Sequence, residues 1–181
     1  MAIEPIVYQV DRDDRILSVN EGWSRFAAEN EAERLKGETV VGRSLWDYIT
    51  DTAVRGLHAL MLERVRSGRT VRYRFRCDAP GKCRLFEMTM APEPKGGVSF
   101  CSELVSEENR PSLPLLDPKS SRNGRFLKVC SWCHAMARPD GSWASLEEVA
   151  AGLEGEATVP ALTHGICGAC ETEMRIRLAT A

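Results

Sequence analysis

Four of the seven cysteines form two pairs with identical spacing near the end of the chain. They are Cys130, Cys133, Cys167 and Cys170. Two thiolates separated by two residues can bind one metal ion, because the chain turns tightly between them and amide groups of the turn stabilise the sulfurs. Two such pairs complete a tetrahedral site. The pattern therefore predicts one structural zinc ion held by all four cysteines, with no open position for catalysis.

The segment between the two pairs is long enough to need folded structure of its own. Ser145 and Glu148 match a capping box, which predicts a helix start. The apolar residues that recur on one face of this helix are Trp143, Leu146, Val149, Ala150 and Leu153. A region of about 57 residues with so few large apolar side chains folds poorly unaided. Metal binding, on the order of 10 kcal/mol, would supply the missing stability.

Other chemistries fit parts of the same pattern. Residues 130–134 match the C-x-x-C-H haem-attachment motif. That reading requires export in most systems and leaves the second pair unexplained. A redox pair is expected at a helix N-terminus within a βαβ pattern, which the sequence does not reveal. Iron in place of zinc stays open, as does a ligand exchange in which His134 or His164 replaces a cysteine. We expect His164 to stabilise the turn rather than to bind the ion.

The overall composition is that of a globular protein with nearly balanced charge. Hydrophobic residues make up 43% and charged residues 28% of the chain, and the formal charge is -2. Neither residues 1–124 nor residues 125–181 have the basic excess that accompanies nucleic-acid binding. No run of about eighteen apolar residues could cross a membrane, and residues 1–5 do not open a signal peptide. We expect a cytoplasmic protein whose reduced thiols bind metal rather than form disulfides.

Residues 1–105 change from strand-like to helix-like patterns and back. Two β-rich segments, 6–10 and 15–19, predict a hairpin. Asn20 is placed to cap a first helix, a short helical piece is expected near 45–49, and a longer helix is expected over 51–67. The apolar stripe of the longer helix is Val54, Leu57, Leu60, Met61 and Val65. Period-two patterns then predict three strands over 71–77, 84–90 and 98–104. The order is β-β-α-α-α-β-β-β, an antiparallel sheet with helices between its second and third strands.

Two kinds of motif connect this pattern to a known family. The first kind is Val19-Asn20-Glu21-Gly22-Trp23-Ser24-Arg25-Phe26 after the hairpin, followed by Val41-Gly42-Arg43-Ser44-Leu45-Trp46. With the element order, these motifs make residues 6–105 resemble a PAS sensor domain. The second kind is Val129-Cys130-Ser131-Trp132-Cys133 and Thr163-His164-Gly165-Ile166-Cys167-Gly168-Ala169-Cys170. This tail resembles cysteine-paired tails behind PAS or receiver modules in bacterial signalling proteins.

The resemblance implies a pocket under the helices that binds haem, flavin, a small acid or nothing. His58 is the sole histidine of this region and so its only histidine candidate for haem iron, although a core histidine is the commoner role. Cys77, Cys83 and Cys101 would be a second metal or redox cluster, or, as we expect, small buried or edge thiols. The resemblance also implies a homodimer, formed through the sheet or the N-terminal segment.

One local basic patch stands out near the third strand. Its members are Arg64, Arg66, Arg69, Arg72, Arg74, Arg76, Lys82 and Arg84. The patch could dock an acidic partner or a phosphate, or it could be a sheet face charged against edge association. Aromatic residues are not interleaved on that face, which argues against nucleic acid.

The predicted fold class is α+β: a PAS-like antiparallel five-stranded sheet with helices, plus a small four-cysteine zinc-binding α/β module. The predicted division is a PAS-like sensor domain over 1–105, a proline-containing linker over 106–124 and the zinc-binding module over 125–181. No nucleophile–base set, phosphate-binding glycine loop or kinase signature is present, so we predict no enzyme. The predicted function is a bacterial signalling or regulatory protein whose output is protein contact. The alternatives are a redox or metal sensor acting at the four-cysteine site, and a haem or flavin sensor.

Overall fold

The N-terminal part of the chain forms a five-stranded antiparallel sheet. The computed structural model describes residues 4–180; residues 1–3, which enter the signal-peptide argument, and Ala181 lie outside that range. The strands are β1 (Ile6–Val10), β2 (Ile16–Val19), β3 (Val71–Arg76), β4 (Lys82–Pro92) and β5 (Val98–Asn109). Their order across the sheet is β2-β1-β5-β4-β3. The predicted fold class of this part is confirmed.

Three helices separate β2 from β3, and side-chain caps fix where two of them begin. They are α1 (Glu21–Glu29), α2 (Gly37–Val40) and α3 (Thr52–Arg66), with 3₁₀ turns at Glu33–Leu35 and Leu45–Asp47. The side chain of Asn20 accepts a hydrogen bond from the amide of Trp23 at 2.9 Å. Asp51 accepts in the same way from Ala53 and Val54. These bonds satisfy amides that the first helical turn leaves unpaired.

Helix α3 packs its apolar face on the sheet. The buried residues of α3 are Val54, Leu57, Met61, Leu62 and Val65. The prediction of Leu60 in this stripe was wrong, because Leu60 is 38% exposed. At about 100° per residue, Leu62 lies nearer than Leu60 to the centre of the buried arc.

The C-terminal part forms a second, four-stranded sheet of order β8-β7-β6-β9. Its elements are β6 (Arg122–Cys130), β7 (Met136–Ala137), β8 (Trp143–Ala144), α4 (Leu146–Ala151), β9 (Val159–Gly165) and α5 (Gly168–Thr180). The predicted helix start is confirmed in α4, where the hydroxyl of Ser145 accepts from the amide of Glu148 at 3.1 Å. The predicted extent of its apolar face was wrong, because Trp143 lies in β8 and Leu153 lies beyond the end of the helix. Strands β6 and β9 are parallel, and the other pairs in this sheet are antiparallel.

The segment between the sheets is more ordered than the predicted linker. Strand β5 continues to Asn109, five residues beyond its predicted end, and β6 already begins at Arg122. A 3₁₀ turn at Pro114–Leu116 inserts Leu115, which is 1% exposed, into a small cluster with Val129 and Leu146. The division into domain, linker and module stays a prediction.

Within residues 4–180, no helix combines the length and the apolar character that a membrane crossing requires.

Candidate metal centre

Two neighbouring parallel strands bring the cysteine pairs together. Strand β6 ends at Cys130, and β9 ends at Gly165, two residues before Cys167. The register pairs Cys130 directly with Gly165. Because parallel strands end at the same edge of a sheet, the two pairs emerge side by side although more than thirty residues separate them in sequence.

The first pair lies in a tight turn stabilised by backbone hydrogen bonds. The amide of His134 donates to the carbonyl of Cys130 at 3.0 Å, and the amide of Cys130 donates to the carbonyl of Ala135 at 2.8 Å. His134 has a φ of 58°, the left-handed conformation that closes such turns. The amide of Ser131 donates to Gly165 at 2.8 Å, which ties this turn to the second strand. We call residues 130–134 the knuckle.

The second pair opens helix α5. Cys167 precedes the helix, and its sulfur accepts from the amide of Cys170 at 3.5 Å, as a capping side chain does. The carbonyl of Cys167 accepts from the amide of Glu171 at 3.0 Å, the first bond of the helical ladder. Both sulfurs therefore lie at the positive end of the helix dipole, where a thiolate is stabilised.

The four sulfurs lie within 4.8 Å of one another. Those of Cys133 and Cys167 are 3.8 Å apart. Sulfurs at about 2.3 Å from a tetrahedral zinc are about 3.8 Å apart, so this spacing fits a four-thiolate metal site. Cys130 and Cys167 are buried, whereas Cys133 and Cys170 are partly exposed. The donor set could hold a metal ion.

The electrostatics of the cluster show why a cation fits it. Burial opposes ionisation of Cys130, but the amides of Cys133 and Cys167 donate to its sulfur and lower its pKa. Burial raises the pKa of Cys133, and the neighbouring Cys130 thiolate raises it further. Burial also raises the pKa of Cys170, and its interactions with Cys167 and with the Cys130 thiolate raise it further. A central divalent cation would offset this repulsion and let all four sulfurs act as thiolates.

The two histidines near the pairs stand outside the group of four. His164 lies in β9, opposite Val129 of β6. The Nδ1 atom of His134 lies 3.7 Å from the carboxylate of Asp78, beyond hydrogen-bonding distance. Among residues 4–180, the cluster of four potential ligands contains sulfurs only.

The knuckle inserts a tryptophan into the core of the N-terminal sheet. Trp132 is 6% exposed, and its ring lies 5.7 Å from the rings of both His58 on α3 and Tyr73 on β3. Its carbonyl accepts from the amide of Arg76 at 2.7 Å. Met174 and Leu178 of α5 belong to the same hydrophobic cluster as the core of the five-stranded sheet.

A buried carboxylate beside the knuckle lies at the centre of an ion-pair network that connects the N-terminal sheet to α4. The side chain of Asp78 is fully buried; it pairs with Arg76, and with Arg110 at 3.0 Å. Both arginines also reach Glu147 of α4, at 2.7 and 3.1 Å. Burial opposes ionisation of Asp78, but its interactions with His134 and Arg76 outweigh that cost and hold its pKa well below the usual range. Glu147 has a lowered pKa, chiefly because Arg76 donates to it.

The sequence of the N-terminal part matches a family model described as the PAS fold, over residues 2–107. The chain belongs to the PAS-fold family. No curated protein matches the chain.

Three solved structures are similar to the PAS domain. A domain of an HTR-like protein from Haloarcula marismortui is 20% identical with a TM-score of 0.39, and the match covers 56% of this chain and 98% of that one. A domain of a sensory box sensor histidine kinase/response regulator from Geobacter sulfurreducens is 15% identical with a TM-score of 0.41, covering 55% and 82%. The photoactive yellow protein domain of the sensor histidine kinase Ppr from Rhodospirillum centenum is 22% identical with a TM-score of 0.37, covering 55% and 83%.

His58, the candidate haem ligand of the PAS domain, is engaged in the core. Its Nδ1 lies 3.0 Å from the carbonyl of Val54, and its ring packs against Trp132. Burial lowers the pKa of His58, which favours the neutral ring.

Several residues of the predicted basic patch form ion pairs or hydrogen bonds with other residues of the chain. Arg84 is 7% exposed, donates to the carbonyl of Cys77 at 2.7 Å and lies over the ring of Phe26. Arg66 pairs with Asp14 at 2.6 Å. Lys82 pairs with Glu107 at 2.7 Å, and Arg76 belongs to the Asp78 network. Several members of the predicted patch therefore pair with groups within the protein, whereas Arg72 and Arg74 stay exposed on β3.

Cys77, Cys83 and Cys101 do not come together as a metal-binding group in the described part of the chain. Cys83 does lie near the carboxylates of Asp78 and Glu147. Those carboxylates are already bound by Arg76 and Arg110.

Sequence reasoning missed three features of this site. The parallel pairing of β6 with β9 was not foreseen, and it places the second pair at a helix N-terminus after a strand–helix–strand crossover. The expectation that no C-x-x-C lies in such a setting was therefore wrong. The insertion of Trp132 and the Asp78 network were also missed. Trp132, a large apolar residue between two candidate metal ligands, was a signal that could have indicated a docking role.

Proposed function

We propose that this protein is a signalling or regulatory module in which a PAS domain is joined to a zinc-stabilised unit that passes its state to a partner protein by contact. The observation that carries this proposal is the position of Trp132. Two flanking cysteines fix it at the candidate metal centre, and its ring packs against His58 and Tyr73 in the PAS core. A change in that core would therefore reach the knuckle directly.

The role proposed for the metal is structural. Zinc bound by Cys130, Cys133, Cys167 and Cys170 would neutralise the thiolates and connect the ends of β6 and β9, with no open position for a substrate. The spacing of the sulfurs and the amides directed at them support this assignment. The proposed role is accordingly not enzymatic.

The proposed partners follow from a sensor role. The protein would pair with a second copy and contact a signalling protein, and the PAS domain would take a small-molecule ligand or act as a dimerisation unit. A cytoplasmic setting, where thiols stay reduced, suits the cysteine cluster.

Metal content is the first test of the proposal. The protein is purified without added metal and analysed for elements. We expect close to one zinc per chain, and we expect Cys170→Ser to lose it. Cys101→Ser, which changes a cysteine of β5 outside the cluster, is the matched control and should keep it. A metal-free, folded wild-type chain would refute the structural-zinc assignment.

Partner contact needs a separate measurement. A pull-down with the zinc-loaded protein is compared with the same protein carrying Trp132→Ala. A partner that is retained equally by both proteins would contradict transmission through the knuckle. A visible absorption spectrum of the same preparation distinguishes a colourless zinc protein from haem, flavin or thiolate iron.

A second candidate function is a redox or metal sensor at the same cysteines. It is favoured by the partial exposure of Cys133 and Cys170 and by the position of the second pair at the N-terminus of α5. Hydrogen peroxide would take two electrons from two thiolates. The S–S bond would form as the O–O bond breaks, two protons would be taken up to give two waters, and the ion would leave. Zinc release that tracks disulfide formation, and is reversed by a thiol reductant, supports this function; zinc retained under peroxide contradicts it.

A further inference from the structure

Strand β3 has a free edge whose backbone groups can be located from the register. It is the outermost strand of the PAS sheet. The amide of Cys77 donates to the carbonyl of Arg84 at 3.0 Å, so this pair is hydrogen-bonded. Bonded and non-bonded pairs alternate along an antiparallel ladder. The backbone groups of Arg72, Arg74 and Arg76 therefore point away from β4, towards the open edge.

Only part of this edge is occupied. The amide of Arg76 is bonded to the carbonyl of Trp132. No residue in the range 4–180 bonds the outward amides and carbonyls of Arg72 and Arg74. Two residues with both groups free can make up to four hydrogen bonds with an added strand.

A groove of about 610 Å³ runs along this edge. Its lining comes from β3, from Leu85 and Glu87 of β4, from the knuckle and from the side of α5 that carries Met174 and Arg177. Its volume lies within the range of established ligand sites. A strand at about 4.8 Å from β3 would lie in this groove, with alternate side chains towards the partly exposed ring of Phe75.

The charged residues that line the groove indicate which kind of added strand it would bind. Its lining includes four arginines and two glutamates. Among the described residues, Arg74 is held only by an exposed ion pair with Glu87 at 3.3 Å, which is weak enough for a partner's carboxylate to replace it. Arg72 and Arg74 share one face, so carboxylates at every second position of an added strand would oppose them. The β3 strand of a second copy would place arginines opposite arginines, which disfavours self-pairing.

We propose that the groove beside β3 binds an extended acidic segment of a partner protein, which adds as a strand to the edge at Arg72 and Arg74. Backbone hydrogen bonds would provide affinity, and alternating carboxylates would provide selectivity. The inference rests on the proposed function, because it specifies the chemistry of the partner.

The test uses the full, zinc-loaded chain and labelled peptides of about eight residues, long enough to span β3. Glutamate and valine alternate in the first peptide, and lysine replaces glutamate in the second. We expect fluorescence anisotropy to show binding of the glutamate peptide, at least about tenfold weaker binding of the lysine peptide, and reversal of this preference in the variant R72E/R74E. Both substitutions are on exposed positions, and circular dichroism verifies the fold.

Backbone methylation separates strand addition from simple charge attraction. Two further glutamate peptides carry N-methyl groups on alternate amides, in opposite phases. Strand addition predicts that one phase loses binding by at least about tenfold while the other keeps it. Equal binding of both phases, or no binding of the glutamate peptide to folded, zinc-loaded protein, would overturn this inference alone. A folded wild-type chain without zinc would overturn the proposed function, whatever the peptides do.

Discussion

Replacing Trp132 with alanine tests whether the knuckle and the PAS core form one packing unit. Truncating a buried tryptophan costs about 3–5 kcal/mol. The lower end applies, because Trp132 lies at the boundary between the two sheets, where neighbours can move into the space. Its indole Nε1 has no hydrogen-bond partner among the described residues, so the substitution forfeits packing and not a hydrogen bond. We expect a loss of about 3 kcal/mol in the free energy of unfolding.

Urea unfolding of the full, zinc-loaded chain, followed by far-ultraviolet circular dichroism, measures this loss. At about 2–4 °C per kcal/mol, the same change lowers the melting temperature by roughly 6–12 °C. Phe126→Ala is the control, because Phe126 is also a large aromatic residue of the C-terminal part but is 74% exposed. Its effect should stay within about 0.5 kcal/mol.

The reasoning would be refuted if Trp132→Ala left the unfolding transition of the PAS domain at the same urea concentration. If Trp132→Ala changes stability by less than about 1 kcal/mol, the ring does not support the core in the way its burial indicates. Trp132→Phe, which keeps an aromatic ring beside His58 and Tyr73, should recover part of the loss. Zinc content is measured in each variant, so that metal loss is not mistaken for lost packing.

Three further outcomes are expected. Gly22→Ala should cost about 1–3 kcal/mol, because a Cβ there would lie 2.3 Å from the carbonyl of Pro5; Gly56→Ala, in open space on α3, should be neutral or stabilising by up to about 1 kcal/mol. Asp78→Asn should cost about 3 kcal/mol at neutral pH by leaving Arg76 and Arg110 without their buried partner. Because the folded-state pKa of Asp78 is lowered, its stabilisation is present above the ordinary aspartate pKa and is lost as pH falls through the folded value. Removing metal with a strong chelator should lower the melting temperature of the PAS domain as well as that of the tail, since α5 packs on its core.

Each of these outcomes has a clear contradiction. Equal melting temperatures for the two glycine variants would mean that α1 does not approach Pro5 as closely as described. The difference between the wild type and Asp78→Asn, measured from neutral pH into acid, must shrink as the pH falls; a constant difference would mean that the carboxylate charge is not what stabilises. If the melting temperature of the PAS domain stays the same after chelation, the stability of the N-terminal sheet does not depend on the C-terminal part.

Local features of the fold could be predicted from sequence because they depend on neighbours in the chain. Asn20, Asp51 and Ser145 each accept a bond from an amide two or three residues away, so their residue types alone indicate helix starts. The two cysteine pairs could also be predicted, because the two cysteines of each pair are brought together by a single turn or helix end. Their meeting depends on the β6–β9 register, which local pattern does not encode.

The positions that sequence misjudged are those whose environment comes from distant residues. Arg84 reads as part of a basic surface but lies over Phe26 and bonds Asn30, far away in sequence. Asp78 reads as a turn residue, and only tertiary structure shows that it binds the two arginines that also reach Glu147 of α4. The burial of an arginine such as Arg84 is hard to predict from sequence, because its apolar stem can be buried wherever a partner is available for the charged end.

Because the two cysteine pairs follow separate parallel strands, the chain could be cut between them without removing either pair. The turn at residues 154–157 is exposed and lies between α4 and β9, away from both cysteine pairs. A protease cut there would leave one ligand pair on each fragment. With the proposed ion bound, the two fragments would stay associated through strand pairing and the four cysteines, and would separate only when both connections are disrupted. The protein could thus be divided at this turn into two complementary pieces whose reassembly reports metal binding.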